Sequence, residues 1–155
     1  MAYRIIGLSP EPFKDLWSME DDALAALNTR RVVADSDRGF PCRISLQDAG
    51  VGETLLLLPH QHHDVDGPYR ASGPIFIRQQ ATTAVSFQDR IPPFFLHRLL
   101  SVRAYDRSGW MHAAEVVEGT DMEASITSFF ERDEIAYLHI HNARPGCYAS
   151  RVDRD

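Results

Sequence analysis

Residues 39–78 read GFPCRISLQDAGVGETLLLLPHQHHDVDGPYRASGPIFIR, and the predicted fold is organised around them. Apolar side chains recur at every second position from Cys42 to Leu46, which is the period of a strand with one buried face. This pattern predicts that Cys42 points inward and Arg43 points outward or into a cleft. The apolar run at 54–58 predicts a strand buried on both faces, and 75–78 predicts another strand after a turn.

The segments on either side continue this alternation of short strands and turns. We expect strands at 3–8, 31–34, 84–87, 101–105, 110–117 and 136–141, with Gly109 in the turn of a hairpin. Two helices are expected, one at 19–28 and one after a capping box formed by Thr120 and Glu123. Residues 147–154 are expected to form a short tail. Short strands joined by turns, together with about two helices, predict an α+β fold with a mostly antiparallel sheet.

Length and composition indicate one domain spanning residues 1–155. The 155 residues are 44% hydrophobic, which is enough to build a core that folds unaided. The formal net charge of -6 argues against a nucleic-acid partner, because binding phosphate backbones requires a basic face. No apolar run is long enough to cross a membrane, and the N-terminal residues do not resemble a signal peptide. The expected location is the cytoplasm.

Histidines form the first candidate site. His139 and His141 lie two positions apart on a predicted strand, so their rings share one face and could reach one metal ion. His60 and His62 have the same spacing, but they join one strand only if that strand continues beyond Pro59. If the two segments meet, imidazole ligands favour a divalent metal such as zinc or iron. No spacing matches a zinc signature, so exposed or structurally hydrogen-bonded histidines are the alternative.

The two cysteines form the second candidate site. Cys42 lies on the apolar face of its predicted strand, where cysteine commonly serves as a small buried hydrophobe. Cys147 follows Gly146 in a loop, which favours an accessible thiol. A nucleophilic cysteine also needs a base and an electropositive setting.

Arginines and tyrosines beside glycine and proline form the third candidate site. Lys14 is the only lysine among the sixteen basic residues. Two or three converging arginines would bind a carboxylate or phosphate in bidentate fashion, unless they pair with the acids of this chain. The residues expected to line a ligand site are Cys42, Arg43, Tyr69, Arg70, Cys147, Tyr148 and Arg151.

Four blocks of the sequence resemble a known family. They are GFPCRISLQDA at 39–49, GE at 52–53, PYRASGPIF at 68–76 and PGCYASRVDR at 145–154. In this order they resemble the bacterial family catalogued as domain of unknown function 1203. The resemblance implies a single bacterial domain and hints that the two cysteines, which both fall inside these blocks, face a common site. It implies no activity, substrate or cofactor.

Three functions remain open from the sequence. The first is binding of a small anionic ligand in a pocket near the Cys42–Arg43 strand and the 147–154 tail. The second is an enzyme that uses His139 and His141 for metal-assisted or acid–base chemistry. The third is an interaction module that forms a homodimer through an exposed strand. The sequence contains no phosphate loop, dinucleotide fingerprint, serine elbow or zinc-protease motif, so it names no catalytic residue.

Overall fold

A computed structural model describes residues 1–155 and shows eleven strands and two α-helices. The strands form one six-stranded and one five-stranded sheet. The α+β class with a mostly antiparallel sheet is therefore confirmed, although the sequence predicted fewer strands. Neither α-helix has the length and apolar character that crossing a bilayer requires.

The six-stranded sheet is antiparallel throughout. Its spatial order is β7 (Ser86–Gln88), β1 (Tyr3–Ile6), β11 (Tyr148–Arg154), β10 (Tyr137–Asn142), β8 (Leu99–Tyr105) and β9 (Met111–Glu118). The predicted hairpin joins β8 to β9, with Gly109 at a φ of 85°. The predicted tail at 147–154 is wrong, because these residues form a strand in the middle of this sheet.

The five-stranded sheet contains one parallel pair. Its order is β2 (Arg30–Val33), β5 (Thr54–His63), β6 (Ala71–Arg78), β3 (Pro41–Cys42) and β4 (Gln47–Asp48), and only β3 and β6 are parallel. Strand β5 continues through Pro59 to His63. Pro59 lies opposite Pro74 on β6, and since neither residue has an amide hydrogen, this pairing leaves no backbone donor unpaired. This extension of β5 contains three histidines, His60, His62 and His63.

The predicted strand at 42–46 is wrong beyond its first residue. β3 ends at Cys42, and residues 43–46 form a turn that contains Leu46 at a φ of 47°. The amide of Arg43 donates to the carbonyl of Phe76 at 3.0 Å, and the amide of Leu8 donates to the carbonyl of Arg43 at 2.8 Å. Because the turn is held between two neighbouring segments, Arg43 is buried together with the apolar residues beside it.

Both predicted helices exist with changed boundaries. α1 (Asp21–Ala26) is shorter than expected and buries Leu24, whereas Leu27 is exposed. α2 (Met122–Phe130) buries an apolar stripe formed by Met122, Ile126, Phe129 and Phe130. The predicted capping box is wrong, since no side chain caps α2 and Thr120 lies in the preceding 3₁₀ helix, Gly119–Asp121. Further 3₁₀ helices are Glu11–Ser18 and Pro93–Phe95.

Two apolar clusters form most of the core. The larger packs α2 and the Pro93–Phe95 helix against the six-stranded sheet. The smaller packs the Glu11–Ser18 helix and α1 against the five-stranded sheet. Tyr148 of β11 belongs to the smaller cluster although its strand lies in the six-stranded sheet, so its side chain joins the two sheets.

Candidate functional site

A cleft of about 590 Å³ opens where the two sheets meet. One wall comes from β3, β5 and β6, and the opposite wall comes from the loop that joins β10 to β11. Polar lining residues are Arg38, Arg43, His97, Arg98, Glu118, Asn142, Arg144 and Cys147. Four of these eight are arginines, whereas Glu118 is the single carboxylate, so the lining is electropositive on an acidic protein.

Arg43 is the buried charge of the cleft. Its side chain is 1% exposed, and its Nε donates to the carbonyl of Tyr148 at 2.7 Å. Its Nη1 donates to the carbonyl of Pro41, and its Nη2 donates to Sγ of Cys147 at 3.1 Å. Burial lowers the pKa of this guanidinium, and the sulfur of Cys147 partly offsets that effect. These contacts fix the group, but none of them supplies a carboxylate.

Two further arginines of the cleft also lack an acidic partner. The side chains of Arg38 and Arg144, like that of Arg43, have no carboxylate oxygen within 4.0 Å. Arg98 differs, because both of its terminal nitrogens bind the carboxylate of Asp48, which neutralises its charge. The cleft therefore combines one neutralised arginine with three whose charges are uncompensated.

Cys147 presents its sulfur to the cleft between two donors. Besides Arg43, the amide Nδ2 of Asn142 donates to Sγ at 3.6 Å. The residue is partly exposed, whereas Cys42 is completely buried and its sulfur accepts the amide of Arg78 at 3.3 Å. The structure therefore places Cys147 in the cleft and Cys42 in the core, so the two thiols do not line a common cavity.

The structure places the other predicted ligand residues outside the cleft. The ring of Tyr69 packs against Trp110 at 5.2 Å, and Arg70 pairs with Asp64 at 3.1 Å on the surface. Arg151 pairs with Asp153 at 2.7 Å and lies over the ring of Tyr137. Tyr148 contributes its carbonyl to Arg43, while its ring points into a separate cluster. Of the seven predicted residues, only Arg43 and Cys147 line the cleft.

Five of the seven histidines lie along the inner ends of β5 and β10. The ring of His62 lies 5.0 Å from that of His141 and 6.2 Å from that of His139, measured between ring centroids. The ring of Tyr148 stacks on His62 at 5.2 Å and meets His139 edge-on at 5.2 Å. His60 lies at the border of this group, 6.3 Å from Tyr148. The structure thus brings the two predicted histidine pairs together.

Hydrogen bonds define the tautomers of two members of this histidine cluster. His63 Nδ1 lies 2.8 Å from the carbonyl of Tyr69 and donates to it, so Nε2 accepts from the hydroxyl of Tyr137 at 2.7 Å. His141 Nδ1 donates to the carbonyl of Gly146 at 2.8 Å, which leaves Nε2 with a free lone pair. Three buried ring nitrogens have no partner, namely Nδ1 of His62, Nδ1 of His139 and Nε2 of His141.

Burial keeps His62, His139 and His141 neutral. It lowers the pKa of His139 to about 2 and the pKa values of His62 and His141 to about 4. Neighbouring imidazoles and Arg151 lower the pKa of His139 further, because a proton there would face positive charge. Neutral imidazole is the form that binds metals. No three His, Cys, Asp or Glu side chains are arranged around a common point as they stand, however.

Neither strand histidine reaches the cleft. His139 and His141 are almost completely buried and are absent from its lining. A second, larger hollow of about 770 Å³ carries the acids Asp106, Asp133 and Glu134, so it lacks the electropositive lining of the cleft. The ring of Tyr148 stacks on the histidine cluster, whereas its backbone carbonyl accepts a hydrogen bond from Arg43 of the cleft.

Sequence reasoning missed Arg38, Arg98, Asn142 and Arg144 as lining residues of the cleft. A signal existed for two of them, since Arg38 and Arg144 immediately precede the blocks at 39–49 and 145–154 that resemble the family. Arg98 and Asn142 carry no such signal, because their position depends on how β8 and β10 pair. His63 was not predicted as a member of the histidine cluster either, because its hydrogen bond to Tyr137 depends on the packing of another strand.

Comparison with known proteins gives one match. A family model described as protein of unknown function (DUF1203) matches residues 39–154. No curated protein and no solved structure matches the chain. The match covers every segment that lines the cleft except Arg38.

Proposed function

Because the chain belongs to the DUF1203 family, whose description assigns no activity, we propose from the cleft alone that the protein binds a small anionic ligand there. The ligand carries a carboxylate or phosphate group. The observation that carries this proposal is the buried guanidinium of Arg43, which has hydrogen-bond acceptors but no carboxylate partner. An uncompensated buried charge costs several kcal/mol, and an anion bound beside it would recover part of that cost.

The surroundings of Arg43 support the same ligand class. Arg38 and Arg144 add two positive charges without acidic partners, and the planar fork of a guanidinium matches the paired oxygens of carboxylate or phosphate. A volume of about 590 Å³ lies within the range of small-molecule sites. Asn142 supplies a neutral donor beside Cys147, which suits a ligand with a second polar group.

Binding can be tested with simple anions. Isothermal titration and thermal-shift measurements would use inorganic phosphate and succinate, with sodium chloride at matched ionic strength as the control for screening. We expect saturable binding and a raised melting temperature with at least one anion. Loss of one charge-assisted hydrogen bond in Arg144→Ala should weaken binding about tenfold. Arg30→Ala is the matched control, because Arg30 is exposed and unpaired but lies outside the cleft. Equal affinities of the two variants, or no anion binding, would reject the proposal.

The histidine cluster supports a second candidate function, the binding of a divalent transition metal by His62, His139 and His141. The observation that favours it is the set of three unpartnered buried ring nitrogens on adjacent rings. Because these nitrogens do not already surround a common point, binding requires the rings to rotate. His60 would stay outside this set.

Metal binding can be tested by spectroscopy. Cobalt(II) titration should produce tetrahedral visible absorption, and elemental analysis should find zinc that is lost in His141→Ala. His112→Ala is the matched control, since His112 is exposed and contacts Asp106 rather than a member of the cluster. Absorption typical of hexaaqua cobalt, or equal metal content in both variants, would reject this candidate.

A further inference from the structure

We propose that the ligand of the cleft is a monocarboxylate with an apolar body, such as a short fatty acid. Its carboxylate binds at Arg43, and its body lies over the five-stranded sheet. This inference rests on the proposed anion-binding function and deepens it, because it names the class of ligand. The apolar side chains of the cleft, which contribute nothing to its charge, carry the inference.

The floor of the cleft is an apolar patch on one face of the five-stranded sheet. Phe76 of β6 lies directly opposite Leu57 of β5, and Pro74 lies two positions before Phe76, so these three side chains share a face. Ile75 and Ile77 point to the other face, where they are completely buried in the core. The three floor residues line the cleft instead, with Leu57 and Phe76 half-buried and Pro74 exposed. The sheet therefore has a packed core on one face and an uncovered apolar surface on the other.

The six-stranded sheet adds a further apolar side chain. Leu99 is the first residue of β8, is half-buried and lines the same cleft. A ligand that consisted of a charged head alone would leave the floor and Leu99 in contact with water, whereas an apolar body would release that water. Each methylene group that becomes buried in this way strengthens binding about fourfold. The apolar lining therefore favours a ligand with a hydrocarbon body.

The strand order places the buried positive charge at one edge of this floor. Strands β5, β6 and β3 lie side by side, and Arg43, which directly follows β3, donates its amide to the carbonyl of Phe76 at 3.0 Å. Because neighbouring strands lie about 4.8 Å apart, Leu57 of β5 lies about 10 Å from the end of β3. A carboxylate bound at Arg43 can therefore extend its body over Phe76 and Leu57. A second acidic group at the far end would lose its hydration there without gaining a donor from these side chains.

The test compares four small ligands by isothermal titration of the full chain at constant ionic strength. Hexanoate has both the head and the body. Acetate keeps the carboxylate but lacks the body, and adipate replaces the terminal methyl group of hexanoate with a second carboxylate. Hexanamide keeps the body but has a neutral head. Each comparison with hexanoate therefore changes one property of the ligand.

We expect hexanoate to bind about tenfold more tightly than acetate, adipate or hexanamide. Hexanoate exceeds acetate by four methylene groups, and burial of only two of them is enough for this difference. An affinity for acetate equal to that for hexanoate would overturn the apolar body. An affinity for adipate equal to or above that for hexanoate would overturn it as well.

Variants of the cleft separate the body of the ligand from its head. Leu57→Thr retains a residue that suits a strand but replaces apolar surface with a hydroxyl group, so it should weaken hexanoate binding about fivefold and leave acetate binding unchanged. Val33→Thr is the matched control, because Val33 lies on β2 of the same sheet and is 60% exposed outside the cleft. Arg144→Ala should weaken both acids. Equal hexanoate affinities of Leu57→Thr and Val33→Thr would contradict the position of the body.

Failure of this inference can be separated from failure of the anion site. If phosphate or acetate binds but hexanoate binds no more tightly than acetate, the anion site stands and the apolar body is rejected. If hexanamide binds as tightly as hexanoate, the cleft does not recognise the negative charge, and both proposals are rejected. Both are also rejected if none of the anions binds.

Discussion

Gly7 lies directly against the carbonyl group of Ile44. A Cβ atom at Gly7 would stand 2.0 Å from that oxygen, which is far inside van der Waals contact. The next residue, Leu8, donates its amide to the carbonyl of Arg43 at 2.8 Å. The end of β1 therefore holds the turn that carries Arg43, and only a residue without a side chain permits the approach.

We predict that Gly7→Ala destabilises the protein by about 1–3 kcal/mol, because the added methyl group must push the 43–46 turn away from β1. The same displacement should weaken phosphate binding, since Arg43 moves with the turn. Urea denaturation and phosphate titration measure the two effects. Gly67→Ala is the control, as a Cβ at Gly67 meets nothing within 4 Å. Equal stabilities of the two variants would contradict this account of the turn.

Acid should destabilise the protein through the histidine cluster. The pKa of His139 is lowered from 6.5 to about 2 by burial, so the folded state resists a proton that the unfolded state accepts. The stabilising contribution is complete above the ordinary pKa and is lost as the pH falls below it. For His139 the loss is about 1.4 kcal/mol for each pH unit. The groups that face His139 are His62, His63, His141, Arg151, Tyr105, Tyr137 and Tyr148.

The measurement is the free energy of unfolding by urea between neutral pH and about pH 5, with a chelator present so that no metal competes for the imidazoles. His139→Gln should flatten the dependence on pH even if it lowers stability at neutral pH. A slope for His139→Gln equal to that of the wild type would show that another group controls acid unfolding.

Two arginine–acid pairs should differ in their contribution to stability. Arg78 donates through Nε and Nη2 to one oxygen of Glu53, and the two side chains are 15% and 17% exposed. Arg70 and Asp64 form a single contact at 3.1 Å and are 55% and 69% exposed. We expect Arg78→Ala to cost about 2 kcal/mol and Arg70→Ala less than about 1 kcal/mol. Urea denaturation of both variants tests the difference, and similar losses would contradict it.

The elements that could be predicted from the sequence are those whose pattern of apolar residues depends on contacts within a few residues along the chain. The hairpin of β8 and β9 and the apolar stripe of α2 appear where the pattern placed them, because turn chemistry and periodicity act over a few residues. The strand at 42–46 was mispredicted because its apolar and polar residues alternate as they would in a half-buried strand, whereas the structure buries all five of them and places residues 43–46 in a turn. The pattern cannot distinguish these cases, since contacts with Leu8 and Phe76 decide between them.

The candidate site was predicted only in part for a related reason. Arg43 and Cys147 were identified from the residues beside them in the sequence. The structure places Nη2 of Arg43 3.1 Å from Sγ of Cys147, although the two residues are 104 positions apart. Tyr69, Arg70 and Arg151 have the same local setting but lie elsewhere on the surface. Which of these similar residues converge depends on strand order, and a single sequence does not encode strand order in any local pattern.

The position of β11 has a consequence for how this chain acquires its structure during synthesis. β11 follows every other strand in the sequence, yet it lies between β1 and β10 and pairs with both. Until residues 148–154 emerge from the ribosome, β1 and β10 each keep an unpaired edge, and Arg43 lacks the carbonyl of Tyr148. Such distant pairing slows folding and prolongs exposure of strand edges. The nascent chain should therefore expose these two strand edges until β11 has been made.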